Sequence, residues 1–148
     1  MLELKDVSVV FNEGTVNEKV ALNNINLALD KGDFVTIIGS NGAGKSTLFQ
    51  AISGAVDTKR GNIILNGRDI TFEPEYKRSK GIGRLFQDPL KGTAPNMTIE
   101  ENLHLSNQRG KHFSLSLMSH RHREEFKKAL MELELGLEER LDSKVGLL

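Results

Sequence analysis

"GSNGAGKST", residues 39–47, is the stretch of this 148-residue chain that decides its fold. Gly39, four further residues, and then Gly44, Lys45 and Ser46 fit the phosphate-binding loop of nucleoside triphosphatases at every fixed position. Glycines allow backbone angles closed to other residues, so successive N–H groups can turn inward around phosphate oxygens. The sequence therefore predicts a nucleotide site whose candidate ligands are Gly39, Ser40, Asn41, Gly42, Ala43, Gly44, Lys45, Ser46 and Thr47.

The end of this loop carries the groups that would meet the phosphates. A helix starting near Lys45 would add the positive end of its dipole. Lys45 can reach the β- and γ-phosphates as a point charge, and the Ser46 hydroxyl can ligate Mg²⁺. Thr47 offers one more hydroxyl close by. We therefore expect a nucleotide held together with Mg²⁺, and Ser46 is a candidate metal ligand.

The flanking sequence matches the context that such a loop needs. "FVTIIG", residues 34–39, is a short apolar run typical of a buried parallel strand. "KSTLFQAISG", residues 45–54, predicts a helix with Leu48, Ala51 and Ile52 on one face and Gly54 as its stop. The alternative is a glycine-rich structural turn, and the order of strand, loop and helix disfavours it. A dinucleotide fingerprint is excluded because the required glycine spacing is absent.

Composition decides little beyond this. The length favours one domain. Twenty basic and twenty acidic residues cancel, which removes the electrostatic argument for nucleic acid as the main ligand. The absence of cysteine excludes a disulfide framework and a thiolate metal site, and it fits a cytosolic protein. No apolar run approaches the roughly 18 residues of a membrane span, so we expect any membrane link to come through a partner.

The rest of the first half is rich in strand signals. Residues 2–11 and 20–29 alternate with period two and predict half-buried antiparallel strands. "NIILNGRDI" predicts a strand at Ile63 to Leu65 followed by a hairpin turn at Asn66-Gly67. "PEYKRSKG", residues 74–81, predicts a short helix, and "GIGRLFQ", residues 81–87, predicts a strand that ends at Gln87.

Beyond Gln87 the pattern changes from strands to helices. Thr98 and Glu101 form a T-x-x-E capping box that opens a helix. Residues 111–122 are ambiguous between a loop and a frayed helix. From about residue 119, helical spacing predicts one amphipathic helix, ended by Gly136, with an apolar face of Phe126, Ala129, Leu130 and Leu133.

Three histidines in this region raise the question of a metal site. His112, His120 and His122 are close in sequence, but Arg121 and Arg123 flank the last two. No carboxylate is tied to the three histidines, and cations beside the ligands oppose metal binding. We therefore expect these histidines to lie on a solvated helix face.

Together these segments resemble the first part of an ATP-binding cassette, the motor subunit of ABC transporters. The two initial strands, the phosphate loop, "GNIILNGRDI", "GRLFQDP" and "MTIEENL" occur in the family's order and cover essentially the whole chain. The resemblance implies an α/β P-loop NTPase fold with an antiparallel β lobe and a partial helical lobe, truncated. It implies one partial domain over residues 1–148, with the nucleotide-binding core and β lobe in 1–87 and the partial helical lobe in 88–148.

The resemblance also implies roles for two residues outside the loop. Phe11 stands where the family places an aromatic side chain that stacks on adenine, although tyrosine is commoner there; an ordinary core aromatic is the alternative. Gln87 matches the family's glutamine that touches Mg²⁺ or the attacking water and relays nucleotide state to the membrane subunit. A solvated strand end is the alternative for Gln87.

The family further implies ligands, partners and a location. The ligands are ATP and Mg²⁺, and the partners are a transmembrane permease subunit and a second ATP-binding subunit. The location is peripheral, on the cytoplasmic face of a membrane, with no direct insertion and no nucleic acid partner.

The final residues bear on catalysis. In the family a leucine at the position of Leu148 begins the signature motif, and an Mg²⁺-ligating aspartate and the adjacent catalytic glutamate follow it. Phosphoryl transfer needs positioned water as well as a phosphate cradle, so we expect this chain alone to bind ATP without hydrolysing it. We also expect an exposed apolar edge beside the phosphate-loop strand. Another P-loop protein, such as a small-molecule kinase, and a non-catalytic nucleotide-binding interaction module remain the alternatives.

Overall fold

The computed structural model describes residues 1–108 and 120–148 of the chain. These residues form two compact units, one over Met1–Gly83 and the other over Arg84–Leu148. The boundary predicted after residue 87 stays a prediction, and each unit is described by itself.

The first unit is built on a four-stranded antiparallel sheet with strand order β2-β1-β3-β4. The alternating patterns near the start of the chain are confirmed as its two longest strands. Regular alternation makes such strands because one face can then pack on a core while the other meets water. The strands are β1 (Leu2–Phe11), β2 (Lys19–Leu29), β3 (Arg60–Leu65) and β4 (Arg68–Asp69).

The hairpin predicted at Asn66-Gly67 is confirmed. Both residues take positive φ values, 51° and 79°, as a two-residue type I′ turn requires. The strands pair across the turn in the expected register, with Leu65 opposite Arg68. This turn reverses the chain between β3 and β4.

The core of the first unit joins the sheet to one helix, α1, which spans Lys45–Ser53. Leu48 and Ala51 of α1 are buried in the same cluster as the side chains of the strands, and Ile52 packs against it. The predicted helix and its stop at Gly54 are thereby confirmed. Its strand partners in this cluster are Leu4, Val7, Val9, Leu22 and Ile63, together with Ile70.

The apolar run before α1 is not a strand in this structure, so that prediction is wrong for the described chain. Residues 34–39 are irregular, and Phe34 and Ile38 are 94% and 90% exposed. A strand is held by hydrogen bonds to a neighbouring strand, and none of the strands among residues 1–108 and 120–148 pairs with this run. Its side chains therefore form an exposed apolar stretch, and only Ile37 packs against the core.

The strand predicted over residues 81–87 is absent for the same reason. A short helix, α2 (Glu75–Arg78), forms as predicted with Pro74 at its N-cap. The residues after it are irregular, and Leu85 is 99% exposed. Local contacts shape this stretch instead; the Arg84 guanidinium, for example, lies 4.6 Å from the centre of the Phe86 ring.

The second unit contains two helices, α3 (Ile99–Asn107) and α4 (His120–Met131), with short 3₁₀ turns around them. Its core is small and consists of Ile99, Phe126, Leu130 and Leu141, all buried. The spacing of Phe126 and Leu130 on α4 puts both on the face that meets this core. The predicted amphipathic helix is therefore confirmed in kind.

The end of α4 differs from the prediction. The helix ends at Met131, five residues before Gly136, and Leu133 is 57% exposed. Ala129 is exposed as well. The helix stops early because the chain turns at once: Leu133 N–H donates to Leu130 O, and Glu134 takes a φ of 53°. Gly136 is left-handed as the sequence predicts, but Glu134 adopts the left-handed conformation two residues earlier and the helix has already ended there.

The capping box at the start of α3 is confirmed, and it gives a stability prediction. Thr98 Oγ1 accepts the N–H of Glu101 at 3.2 Å, and Glu101 Oε2 accepts the N–H of Thr98 at 2.7 Å. Thr98→Ala removes the hydroxyl that accepts the N–H of Glu101. We expect urea unfolding to show that the free energy of unfolding falls by about 1 kcal/mol. The matched control is Ser106→Ala, an exposed position inside the same helix, where no loss is expected. Equal stability of Thr98→Ala and the unchanged chain would contradict the cap.

Candidate functional site

The predicted phosphate loop lies at the N-terminal end of α1. Gly44 is the N-cap of the helix, with a φ of 90° and a ψ of 0°, and Lys45 is its first residue. The Gly44 carbonyl accepts the first intrahelical bond, from Leu48 N–H at 2.8 Å. The free N–H groups of the first turn therefore point toward the loop, where an anion would be stabilised.

The side chain of Lys45 turns back into the loop. Its Nζ donates to Gly39 O at 2.5 Å and to Ser40 O at 2.7 Å. Ala43 N–H also donates to Ser40 O, at 3.2 Å, so the loop closes on itself around the ammonium group. This arrangement places the positive charge of Lys45 beside the N-terminus of α1, where the charge and the helix dipole both favour a phosphate group.

A close contact with β2 fixes the position of the loop. A Cβ atom built on Gly44 would lie 2.6 Å from Ala21 O and 3.2 Å from the Leu22 side chain. The backbone of Gly44 can approach the strand this closely because it carries no side chain. Gly44 thus serves two needs, the left-handed N-cap and the packing of α1 on the sheet.

The remaining loop residues are open to solvent and to a ligand. Ser40, Asn41, Gly42 and Ala43 are exposed, and a Cβ atom on Gly42 would meet nothing within 4 Å. The Ser46 side chain is also exposed. Thr47 is half-buried in the first turn of α1.

The residues present fit a nucleotide phosphate with Mg²⁺. A positive N-terminal helix end, the Lys45 ammonium and the Ser46 hydroxyl lie on consecutive residues, and Mg²⁺ takes oxygen ligands. Among residues 1–108 and 120–148, no group of three or more histidine, cysteine or acidic side chains is arranged to hold a metal ion. The assignment of Ser46 to Mg²⁺ stays a prediction, with the phosphates as the natural further ligands.

Phe11 lies in the same unit, at the end of β1. It pairs with Lys19 of β2, is half-buried, and packs against the cluster that holds Leu48 and Ala51 of α1. Its ring therefore has a packing role, as the core alternative requires, and keeps some exposed surface. Stacking on adenine stays a prediction.

Gln87 lies in the second unit, exposed in a bend that precedes the 3₁₀ turn Pro89–Gly92. Asp88 shapes this bend, because its carboxylate accepts the N–H of Leu90 at 3.1 Å. The assignment of Gln87 to Mg²⁺ or water stays a prediction.

Arg78 is a residue that the sequence analysis missed. Its side chain is 3% exposed, and burial lowers the pKa of the guanidinium below its ordinary value, while the charges of Glu73, Asp57 and Asp69 oppose that shift. The guanidinium donates hydrogen bonds at the end of α1 opposite to the loop. No local signal distinguishes it from Lys77 and Lys80, which lie in the same charged stretch and are both exposed.

The second unit has its own charged cluster between its helices. Arg123 of α4 binds Glu100 at the start of α3 and makes two hydrogen bonds to Asp142, one of 2.6 Å. The hydrogen bond from Arg123 lowers the pKa of the Asp142 carboxyl, and the same bond raises the pKa of Arg123. This cluster joins the first turn of α4 to the start of α3 and to Asp142.

Of the three histidines expected on a solvated helix face, His122 is half-buried and packs against other rings. The ring of His122 lies 5.7 Å from that of His104 and 6.4 Å from that of Phe126, between α3 and α4. Both histidines are half-buried. His112 and the side chain of His120 lie outside the described part of the chain.

No helix among residues 1–108 and 120–148 is long and apolar enough to cross a bilayer.

Comparison with known protein families gives one clear match. The family model described as "ABC transporter" matches residues 22–147, which include the phosphate loop and both helices of the second unit. A tyrosine transport ATP-binding protein of Clostridioides difficile is 39% identical over 145 residues, which cover 98% of this chain and 58% of that protein. The chain thus spans a little over half the length of this relative.

Two of the solved structures that match illustrate the shared fold. One is MJ1267, an ATP-binding cassette of an ABC transporter, with a TM-score of 0.75 and 28% identity over 100% of this chain and 58% of that one. The other is a dimeric post-hydrolysis state of the cassette MJ0796 bound to ADP and Pi, with a TM-score of 0.76 and 27% identity. It matches 100% of this chain and 63% of that one. The similarity therefore extends across the described residues of both units.

Proposed function

This chain belongs to the ABC transporter family, and from that premise we propose that it binds ATP with Mg²⁺ through residues 39–47 as the energy-coupling part of a transporter. The observation that carries the proposal is the Lys45 ammonium, held by Gly39 O and Ser40 O at the N-terminus of α1. The fold class inferred from the sequence, an ABC-type P-loop NTPase, agrees with the matched structures.

The loop residues divide the work of binding. The backbone N–H groups of residue 42 and of residues 44–46, together with the dipole of α1, attract phosphate oxygens. Lys45 exchanges its two carbonyl partners for the more negative β- and γ-phosphates, since a charged acceptor makes the stronger hydrogen bond. The Ser46 hydroxyl holds Mg²⁺, and the ion, when bound, neutralises charge that would otherwise build up between the phosphates.

The partners and the remaining site residue follow from the family. We propose a second ATP-binding subunit and a membrane permease as partners, and a peripheral position on the cytoplasmic side of the membrane. Gln87 then takes part in binding Mg²⁺ or water and in passing the nucleotide state to the permease. The family match supports a function in transport over that of a small-molecule kinase.

Calorimetry on the 148-residue chain tests the proposal. We expect Mg²⁺-ATP and inorganic triphosphate to bind, and AMP to bind far more weakly, because AMP lacks the β- and γ-phosphates that the loop addresses. Equal affinity for ATP and AMP, or no affinity for any of the three, would exclude the phosphate loop as the site. Transfer of phosphate to a small second substrate would instead support the kinase alternative.

Stacking by Phe11 gives a separate prediction. Phe11→Ala is expected to weaken ATP and GTP binding by about 1–3 kcal/mol, the usual worth of a base–aromatic stack, and to spare inorganic triphosphate. Tyr76→Ala is the control, because Tyr76 is 68% exposed on α2 and has no proposed ligand. If ATP and triphosphate lose affinity equally, Phe11 acts through the packing of β1 on α1.

A further inference from the structure

Arg78 is a buried cation that joins two separate segments of the first unit. Its Nη1 donates to Ala51 O at 2.7 Å and to Ile52 O at 3.1 Å, in the last turn of α1. Its Nη2 donates to Thr71 O at 2.7 Å, and its Nε donates to Glu73 O at 2.7 Å, in the segment after β4. One side chain thus binds the C-terminal end of α1 to the chain that leaves the hairpin.

The chemistry of this contact suits an arginine. The last carbonyls of a helix have no intrahelical donors, and a positive charge there opposes the negative end of the dipole. A planar guanidinium can serve several carbonyls in different directions, whereas an ammonium is a compact point charge. Burying such a charge is unfavourable unless hydrogen bonds replace its water, and four backbone carbonyls do so here.

The same helix carries the phosphate loop at its other end. Lys45 is the first residue of α1, and Ile52 lies about 10 Å further along the axis at 1.5 Å per residue. Gly44 holds the N-terminal end against β2. At the C-terminal end the guanidinium lies directly against Gly54, where a Cβ atom would be 2.8 Å from Arg78 Nε. α1 is therefore held at both ends, and a packed helix transmits a displacement at one end to the other.

We propose that Arg78 is a positioning residue for the phosphate loop. By tying the end of α1 to Thr71 and Glu73, it sets where Lys45 and the loop N–H groups stand when phosphate binds. This inference rests on the proposed nucleotide-binding function. Arg78 acts on the loop through the helix and has no contact with the ligand.

The test is the affinity of Arg78→Met for ATP and for inorganic triphosphate. Methionine fills much of the buried volume but donates no hydrogen bond. We expect both affinities to fall by about tenfold in the folded variant, and by the same factor, because the change acts on the loop and not on the base. Arg78→Lys keeps the charge, and we expect its affinities to lie between those of the unchanged chain and those of Arg78→Met. Circular dichroism at the calorimetry temperature verifies that each variant is folded.

Ser8→Ala is the matched control for a merely structural effect. Ser8 of β1 is buried, and its hydroxyl donates to Asn24 Oδ1 at 3.2 Å and accepts the N–H of Asn24 at 2.9 Å, so the variant also loses hydrogen bonds, but none that involve Arg78 or α1. We expect it to lower the unfolding temperature while leaving ATP affinity unchanged. An equal loss of affinity in Ser8→Ala and Arg78→Met would overturn the positioning role.

The outcomes separate the two proposals. If the unchanged chain binds neither ATP nor triphosphate, the proposed function fails. If the unchanged chain binds both and folded Arg78→Met binds both equally well, the positioning role of Arg78 is wrong and the proposed function stands. Should Arg78→Met fail to fold, Arg78→Lys decides in the same way, and unchanged affinity in that variant overturns the inference.

Discussion

Replacing Lys45 with alanine is expected to remove most of the ATP affinity of this chain and to leave its fold intact. Among the described residues the ammonium bonds only to Gly39 O and Ser40 O of its own loop, and the side chain is not part of the core cluster. The variant loses charge-assisted hydrogen bonds to phosphate, so we expect a loss of about 2–3 kcal/mol, or about 30- to 150-fold in Kd. Calorimetry with Mg²⁺-ATP and with triphosphate measures it.

Lys31→Ala is the control for the loss of a positive charge as such. Lys31 lies in the exposed turn between β2 and the apolar run, and it has the same formal charge as Lys45. We expect its ATP affinity to equal that of the unchanged chain, and both variants to have the same circular dichroism spectrum. A folded Lys45→Ala protein with full ATP affinity would show that nucleotide does not bind at the loop.

The segments that the sequence predicted well are those whose cause is local. The turn at Asn66-Gly67, the capping box of Thr98 and Glu101, and the stop at Gly54 all depend on residues within a few positions of one another. Such features depend on neighbouring side chains and on the φ preferences of single residues, so a local pattern is enough to predict them. The loop at the start of α1 belongs to this group.

The segments that the sequence predicted wrongly depend on distant partners. Residues 34–39 have the composition of a buried strand, but composition records what a segment needs and not whether a neighbour pairs with it. In the described residues Phe34 and Ile38 meet solvent. Arg78 was missed for a related reason: four carbonyls from two segments bind it, and all of them lie five or more residues before it in the chain.

Gly44→Ala is expected to be the most destabilising single substitution in the loop. Alanine at a φ of 90° is strained, and its Cβ atom would lie 2.6 Å from the carbonyl oxygen of Ala21, a backbone atom that cannot rotate away. Strain in the left-handed region and overpacking together are expected to cost about 2–5 kcal/mol. α1 must then move off β2, so ATP affinity should fall together with stability. Urea unfolding and calorimetry measure the two effects.

Gly42→Ala isolates the contribution of the close approach. Gly42 has nearly the same backbone angle, a φ of 83°, but a Cβ atom there would meet nothing within 4 Å. Its stability should therefore fall only by the conformational strain, about 1–2 kcal/mol. The difference between the two variants measures the contact of Gly44 with β2. Equal losses would mean that backbone angle alone requires glycine at both positions, and that β2 does not hold the phosphate loop in place.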